Sequence, residues 1–404
     1  MRSTRPARWA VPLVLAGSLA LAACGNSGSN SASGSSSSGG GGLGGSGSSQ
    51  TYKIAFEGPL SGDNQQLGIN EVQGAQLAID QANASGKLPF KLALLKADDQ
   101  GSPDQAPTAA AQVLQDATVL GVIGPAFSGT TKAVGSTYSQ AGLAIITPSA
   151  TNPTLSQQGY TTFHRIVPSD NVEGTQGADL FARKGYKKVV VIDDLSDYGK
   201  GVADAVQAEA QKKGVQVQRL SVDAKTTDYG PTAATVASSG AQAMFYGGYD
   251  AQAGQVAKAL QTAGYQGDKF GGNGVKSSVF TQGAGSAGDG WYFTCGCSDA
   301  TTAPAAKSFT SAYKAAFNQD PSTYSPEAFD ATNAMIEAFT TAAKNGAPTR
   351  QSVEQAVNNL DYKGITTEVK FDKTGEVDQN AQVVNLFQQK NGAIVLLGNI
   401  KDQK

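Results

Sequence analysis

Ser128-Gly129-Thr130 is the segment best suited to chemistry in this chain. It follows the apolar run Val119-Leu-Gly-Val-Ile123 and opens a stretch with helical spacing. Serine hydroxyls and the free N–H groups of a helix start receive anions, helped by the helix dipole. Serine and threonine are also the preferred plain caps of a helix, so both readings stand. A nucleophilic serine would need a base beside it. The single histidine, His164, sits in an extended segment next to Arg165 and is read as structural. Neither Ser128 nor Ser149 lies in a Gly-x-Ser-x-Gly elbow. A phosphate-binding Gly-x-x-x-x-Gly-Lys-Ser/Thr loop is missing too. Gly283-Ala-Gly-Ser-Ala-Gly288 precedes a strand and opens no helix, the wrong context for a dinucleotide. With one histidine and three cysteines, a metal centre would lack ligands. The expectation is a protein that is not an enzyme, with no cofactor and no metal.

The cysteines point elsewhere. Arg2, Arg5 and Arg8 precede an apolar run from Trp9 to Ala22, and Leu21-Ala-Ala-Cys24 closes it. That order reads as a signal peptide over 1–23 ending in a lipobox, with Cys24 carrying a diacylglycerol. The alternative is an ordinary signal peptide with a chance cysteine. Residues 24–50 form a Gly/Ser-rich tether, a flexible coil of about 25–30 Å. Cys295 and Cys297 flank one glycine. In an exported protein they either bridge, at some geometric strain, or remain free thiols.

The elements that position these residues alternate. Strand-like runs fall at 52–56, 91–95, 119–123, 143–146, 188–192, 215–222 and 241–246, with helical patterns between them. Such alternation predicts βαβ units and parallel sheets covered on both faces. The roughly 350 residues after the tether exceed one comfortable core and fall into two blocks, about 52–167 and 187–295. Helices near 304–317, 326–344 and 350–360 follow, then strand-like pieces around 368–371, 383–388 and 393–397. Net charge is −2 from 31 basic and 33 acidic residues, which gives nucleic acid no purchase. Ligands of parallel sheets bind beyond the carboxyl ends of strands. Those ends carry small hydroxyl residues in the first block and tyrosines in the second.

At these loops the chain resembles the periplasmic Leu/Ile/Val-binding proteins, the type I solute-binding proteins of ABC importers. The carrying residues are Val122-Ile-Gly-Pro125 with Ser128, then Ile146-Thr-Pro-Ser-Ala-Thr-Asn-Pro153 leading to Arg165. Gly58-Pro-Leu-Ser-Gly62, Tyr198-Gly and Phe245-Tyr-Gly-Gly-Tyr249 add to them. The resemblance implies an α/β fold of two Rossmann-like lobes joined by three crossovers, the periplasmic binding protein type I architecture. Lobe 1 would hold 51–168 and 299–376, lobe 2 169–298 and 377–404. It implies that Ser128, Gly129 and Thr151 take a ligand carboxylate. Backbone groups at Ser149 and Ala150 would meet carboxylate and ammonium. Tyr198 and Tyr249 would come from lobe 2, and Tyr324 would form a pocket wall. Asn273 stands where the amino-acid binders often have a glutamate that pairs with the ligand ammonium. Leu67 replaces an aromatic wall, and Phe127 occupies one cysteine position of a disulfide found in some members.

The resulting expectation is an extracytoplasmic, lipid-anchored, monomeric protein working with an ABC permease in the membrane. Its solute would be a branched-chain or other small amino acid. A small organic or aromatic acid or an amide is the alternative ligand, and a signalling receptor the alternative role. Asp250, or else Asp197, is expected to supply the charge that Asn273 lacks.

Overall fold

The computed structural model describes residues 50–404. The expected leader, Cys24 and nearly all of the tether lie outside the described residues. Among those described, no helix is long and apolar enough to cross a membrane.

The first sheet is built from β1 (Thr51–Gly58), β2 (Lys91–Asp98), β3 (Val119–Ile123), β4 (Ala144–Thr147) and β5 (Phe163–Arg165). All pair in parallel, in the order β2-β1-β3-β4-β5. Its helices are α1 (Gln65–Ala84), α2 (Ala106–Gln115) and α3 (Ser128–Gln140). Successive side chains of a strand point to opposite faces. Ile54, Phe56, Leu120 and Ile146 therefore point to the face covered by α1 and by later helices of the chain, whereas Ala55, Val119, Val122 and Ile145 pack toward α2 and α3. Both faces are apolar because both are covered, which is why these strands read as continuous hydrophobic runs.

The second sheet repeats the scheme. Its parallel members are β6 (Lys188–Asp193), β7 (Gln216–Ser221), β8 (Ala243–Gly247), β9 (Asp268–Gly271) and β10 (Tyr292–Cys295). Helices α4 (Asp170–Arg183) and α5 (Asp197–Lys212) cover one face, where Val189, Val191 and Phe245 point. Helices α6 (Gly230–Ser238), α7 (Asp250–Thr262) and α8 (Ser278–Ala284) cover the other. The chain then returns to the first lobe. Of α9 (Lys307–Phe317), α10 (Ser325–Ala343) and α11 (Arg350–Val357), the latter two pack on β3 and β4. A short ladder of β11 (Tyr362–Lys363) and β12 (Glu368–Val369) follows. The hairpin β13 (Asn385–Lys390) and β14 (Ala393–Asn399) ends the chain as an antiparallel edge of the second sheet.

Three segments pass between the lobes side by side. Arg165 N donates to Gly375 O (2.8 Å), and Ser169 N donates to Gln379 Oε1 (2.7 Å). Gly296 lies against Pro168, where a Cβ would meet the ring at 2.1 Å. In each sheet the strand order reverses once, between β1 and β3 and between β6 and β8. The loops beyond those strand ends diverge there and leave a crevice.

Candidate functional site

The two crevices face each other. A small cavity between them is lined from the first lobe by Leu67, Glu71, Ala126, Phe127, Ser128, Ser149 and Tyr324, and from the second by Tyr198, Tyr249, Asn273 and Gly274. Only about 10 Å3 of it is open to a water-sized sphere, room for about one water, so in this state the two walls are packed almost against each other. A larger hollow of about 500 Å3 lies against the crossovers, with Ile166, Gly296, Thr366 and Gln382 in its lining. It contains none of the expected ligand-binding residues, so the smaller cavity is the better candidate.

Ser128 is the first residue of α3, after Phe127 as N-cap, and is buried. Its Oγ accepts from Asn152 N at 3.2 Å, so the helix start is tied to the loop that follows β4. That loop is held from below. Ser149 Oγ donates to Ala126 O (2.7 Å), and Ala150 N donates to Thr147 Oγ1 (3.0 Å). The buried Arg165 guanidinium donates to Ala150 O (3.1 Å) and Asn152 O (2.8 Å), and its fork grips the Glu376 carboxylate. One arginine thereby fixes the binding loop and joins the first crossover to the third.

The opposite wall is aromatic. Tyr249 stacks on Phe127 across the cleft, with centroids 4.2 Å apart, and lies 5.2 Å from Tyr198. The Tyr198 hydroxyl accepts from Gly274 N at 3.0 Å. Tyr324 precedes α10 in the left-handed region, φ 66°, with its hydroxyl buried and unpartnered. A non-glycine residue held there costs about 1–3 kcal/mol, and such positions cluster at ligand sites. Lys132 pairs with Asp197 at 2.7 Å, and Asn152 Nδ2 donates to Asp197 O at 2.6 Å. Both contacts join α3 or its neighbouring loop to α5, so the lobes are closed on one another.

Six of the nine expected ligand-binding residues meet at this cavity: Ser128, Ser149, Tyr198, Tyr249, Asn273 and Tyr324. Three stand behind it. Gly129 lies near Pro103 and Asp197, Ala150 faces Arg165 through its carbonyl, and Thr151 O accepts from Asp170 N. The acids expected to compensate Asn273 are elsewhere. Asp250 accepts from Ser277 Oγ and from Ala251 N at its own helix start. Asp197 is engaged with Lys132. Asn273 donates its amide to Glu173 at 2.6 Å, and Thr294 caps the other oxygen of that acid at 2.6 Å. Burial pushes the Glu173 carboxyl up to about 7. His164 is buried in β5 between Ile145 O and Asn358, away from any lining serine, and burial lowers its pKa. Cys295 and Cys297 are joined by a disulfide beside the second crossover.

Glu71 is the lining residue that the sequence reading missed. It is fully buried, and neither carboxylate oxygen has a partner. Burial, reinforced by the Asp99 and Glu327 carboxylates, pushes its pKa well above the usual range. A signal for it existed: Leu67, Glu71, Ala75 and Ala78 share the buried face of α1, so an acid interrupts an apolar stripe.

Comparison with known proteins agrees with this architecture. Residues 51–393 match the periplasmic binding protein family. A Leu/Ile/Val-binding protein homolog from Brucella melitensis is 31% identical over 85% of this chain and 92% of its own length. The branched-chain amino acid transporter substrate-binding protein of Streptococcus pneumoniae, solved with isoleucine, superimposes with a TM-score of 0.77 at 26% identity, covering 86% of this chain and all of that one. A leucine-binding protein from Thermotoga maritima shares the fold with a TM-score of 0.79 at 24% identity, over 87% and 99% of the two chains. The chain belongs to the periplasmic binding protein family, a family of extracytoplasmic solute-binding proteins.

Proposed function

We propose that this protein is the solute receptor of an ABC importer, that it binds a branched-chain or other small amino acid, and that it catalyses no reaction. The observation that carries this is the closed cavity with hydroxyls and a helix start on one wall and tyrosines on the other. The ligand carboxylate sits at the start of α3 with the Ser128 hydroxyl and the backbone of Ser149. Its side chain lies against Leu67, Phe127, Tyr198, Tyr249 and Tyr324. The Brucella and Streptococcus relatives, named for Leu/Ile/Val and solved with isoleucine, support this class of solute.

Ligand acts by bridging the walls. A solute that touches both lobes favours the closed state by its extra contacts there, and a permease reads that state. We place the lobe boundaries at 168, 298 and 376, where the crossovers run together. Lipid on Cys24 would keep this monomer at the membrane, with residues 25–50 as its leash.

A panel of amino acids, their amides and small organic acids in a thermal-shift assay tests the reading. A ligand at 100 times its dissociation constant adds about 2.7 kcal/mol, a shift of several degrees. Stabilisation by leucine, isoleucine or valine is expected. Stabilisation only by acids without an amino group would favour the alternative class, for which the uncharged Asn273 is the supporting observation.

A further inference from the structure

We propose that the Glu71 side chain is the anion that receives the ligand's amino group, in place of a carboxylate at position 273. This rests on the amino-acid reading above. Among the lining residues Glu71 alone is acidic, and none is basic. Three other acids near the cleft are engaged, Glu173 with Asn273 and Thr294, Asp250 with Ser277 and Asp197 with Lys132. Asp170 is also buried with both oxygens unpartnered, but it lies outside the lining and has the Arg165 guanidinium near it. Lys276 is buried as well, but it donates to Thr323 Oγ1 at 3.1 Å, and the acids it faces are Asp299 and Glu327. Glu71 is therefore left without a cation of the protein's own.

Its position suits an α-amino acid, whose ammonium and carboxylate share one carbon and need adjacent receptors. Glu71 lies beside the Ser149 hydroxyl. That hydroxyl has one proton and donates it to Ala126 O, which leaves both Glu71 oxygens open. Ser149 also belongs to the loop tied to the start of α3. The receptors for the two charged ends thus meet at one residue.

A proton should accompany binding. Glu71 faces Asp99 from the loop after β2 and Glu327 from α10, both acids, and it is buried among them. An isolated buried carboxylate is strongly disfavoured, so the empty site holds the neutral acid. When the ligand enters as R–NH3+, the ammonium supplies the counter-charge. The Glu71 O–H bond then breaks, the electron pair stays on the carboxylate, and the proton leaves to solvent. A ligand without an amino group leaves that proton in place.

Isothermal titration of the mature protein with L-leucine, in buffers of differing ionisation enthalpy at pH 7, counts released protons. The same titration with 4-methylpentanoate, leucine without its amino group, is the control. Wild type should release close to one proton with leucine and fewer with the control. Glu71→Gln should weaken leucine by roughly 10- to 150-fold, the value of a hydrogen bond to a charged group. It should also abolish most of the proton release while keeping 4-methylpentanoate within a few fold. Unchanged leucine affinity in Glu71→Gln overturns the assignment and leaves the amino-acid reading intact. Wild type that binds no amino acid overturns both. Should Glu71→Gln fail to fold, wild type alone decides, since leucine binding without proton release is incompatible with the proposal.

Discussion

Glu376 and Glu71 are both buried carboxylates, and their surroundings are opposite. Glu376 meets the forked guanidinium of Arg165, which also holds two loop carbonyls. Glu71 meets two other acids and no cation. A buried charge with its partner built in serves the architecture: here it pins the crossovers and shapes the loop at 149–152. A buried acid without one is a liability in the empty protein, and such groups gather at sites of function. Breaking the first should damage folding, and altering the second should damage recognition.

The largest effect is expected at Arg165. Arg165→Ala leaves Glu376 buried and alone, a loss of about 3–5 kcal/mol. At about 2–4 °C per kcal/mol the melting temperature drops by roughly 6–20 °C. Arg165→Lys should recover little, because an ammonium cannot reproduce the fork. Calorimetry of both variants checks this. A drop of only a degree or two for Arg165→Ala would remove the architectural side of the comparison.

The second effect is on pH. Burial raises Glu71 strongly, Glu57 to about 8, and Glu173 and Glu327 to about 7, all from 4.5. Between 4.5 and those values the folded chain keeps protons that the unfolded chain has lost, so stability falls as pH rises. His164, lowered by burial, opposes this only below 6.5, and Lys276, lowered to about 8, only above that value. The ligand-free protein should therefore lose melting temperature from pH 6.5 to 8, by about 1.4 kcal/mol for each proton and pH unit. Glu71→Gln should flatten part of the slope, and a level profile in wild type would contradict the buried-acid picture.

These contrasts bear on what the residues disclose. Most of both sheets was legible because strands covered on two faces are unbroken apolar runs, such as Val119–Ile123, but the four-residue β9 was not. Helix α4 was not. Asp170-Asn-Val-Glu-Gly-Thr-Gln-Gly177 has weak helix propensity, and its helix rests on packing: Gly174 lies against Ala205 of α5, where a Cβ would meet that side chain at 2.6 Å. The turn of the last hairpin, Asn391-Gly392, carried its own mark, since both residues take positive φ in a two-residue loop. Site residues at strand ends, Ser128, Ser149, Tyr198 and Tyr249, could be read from position and resemblance. Glu71 could not, because its meaning lies in the absence of a cation around it, a property of the folded neighbourhood.

Ser128 comes next in size. Its hydroxyl stands at the helix start and is proposed to hold the ligand carboxylate, a bond worth about 1.5–3 kcal/mol. Ser128→Ala should weaken leucine by roughly 10- to 150-fold with a small change in melting temperature. Equal losses for leucine and 4-methylpentanoate would separate this carboxylate contact from the amino-group contact at Glu71. Unchanged affinity for both would return Ser128 to a plain role at the start of α3.

The smallest effect tests closure itself. Lys132 and Asp197 join α3 to α5 across the cleft at 2.7 Å, with side chains 50% and 33% exposed. An exposed pair contributes about 0.2–1 kcal/mol and is screened by salt. It exists only when the lobes are closed, so Lys132→Met should raise the dissociation constant by no more than about fivefold. The loss should come from destabilising the closed state, with ligand contacts intact. Wild-type affinity should then fall as salt rises from about 20 mM to 0.5 M, while Lys132→Met stays nearly level. The carbonyl of Asp197 still accepts from Asn152 in the variant, so closure itself survives. Titration calorimetry at the two salt concentrations decides. Parallel salt dependence in both proteins would mean that the pair adds nothing to the closed state and that closure rests on the Phe127–Tyr249 stack, the Asn152–Asp197 hydrogen bond and the ligand.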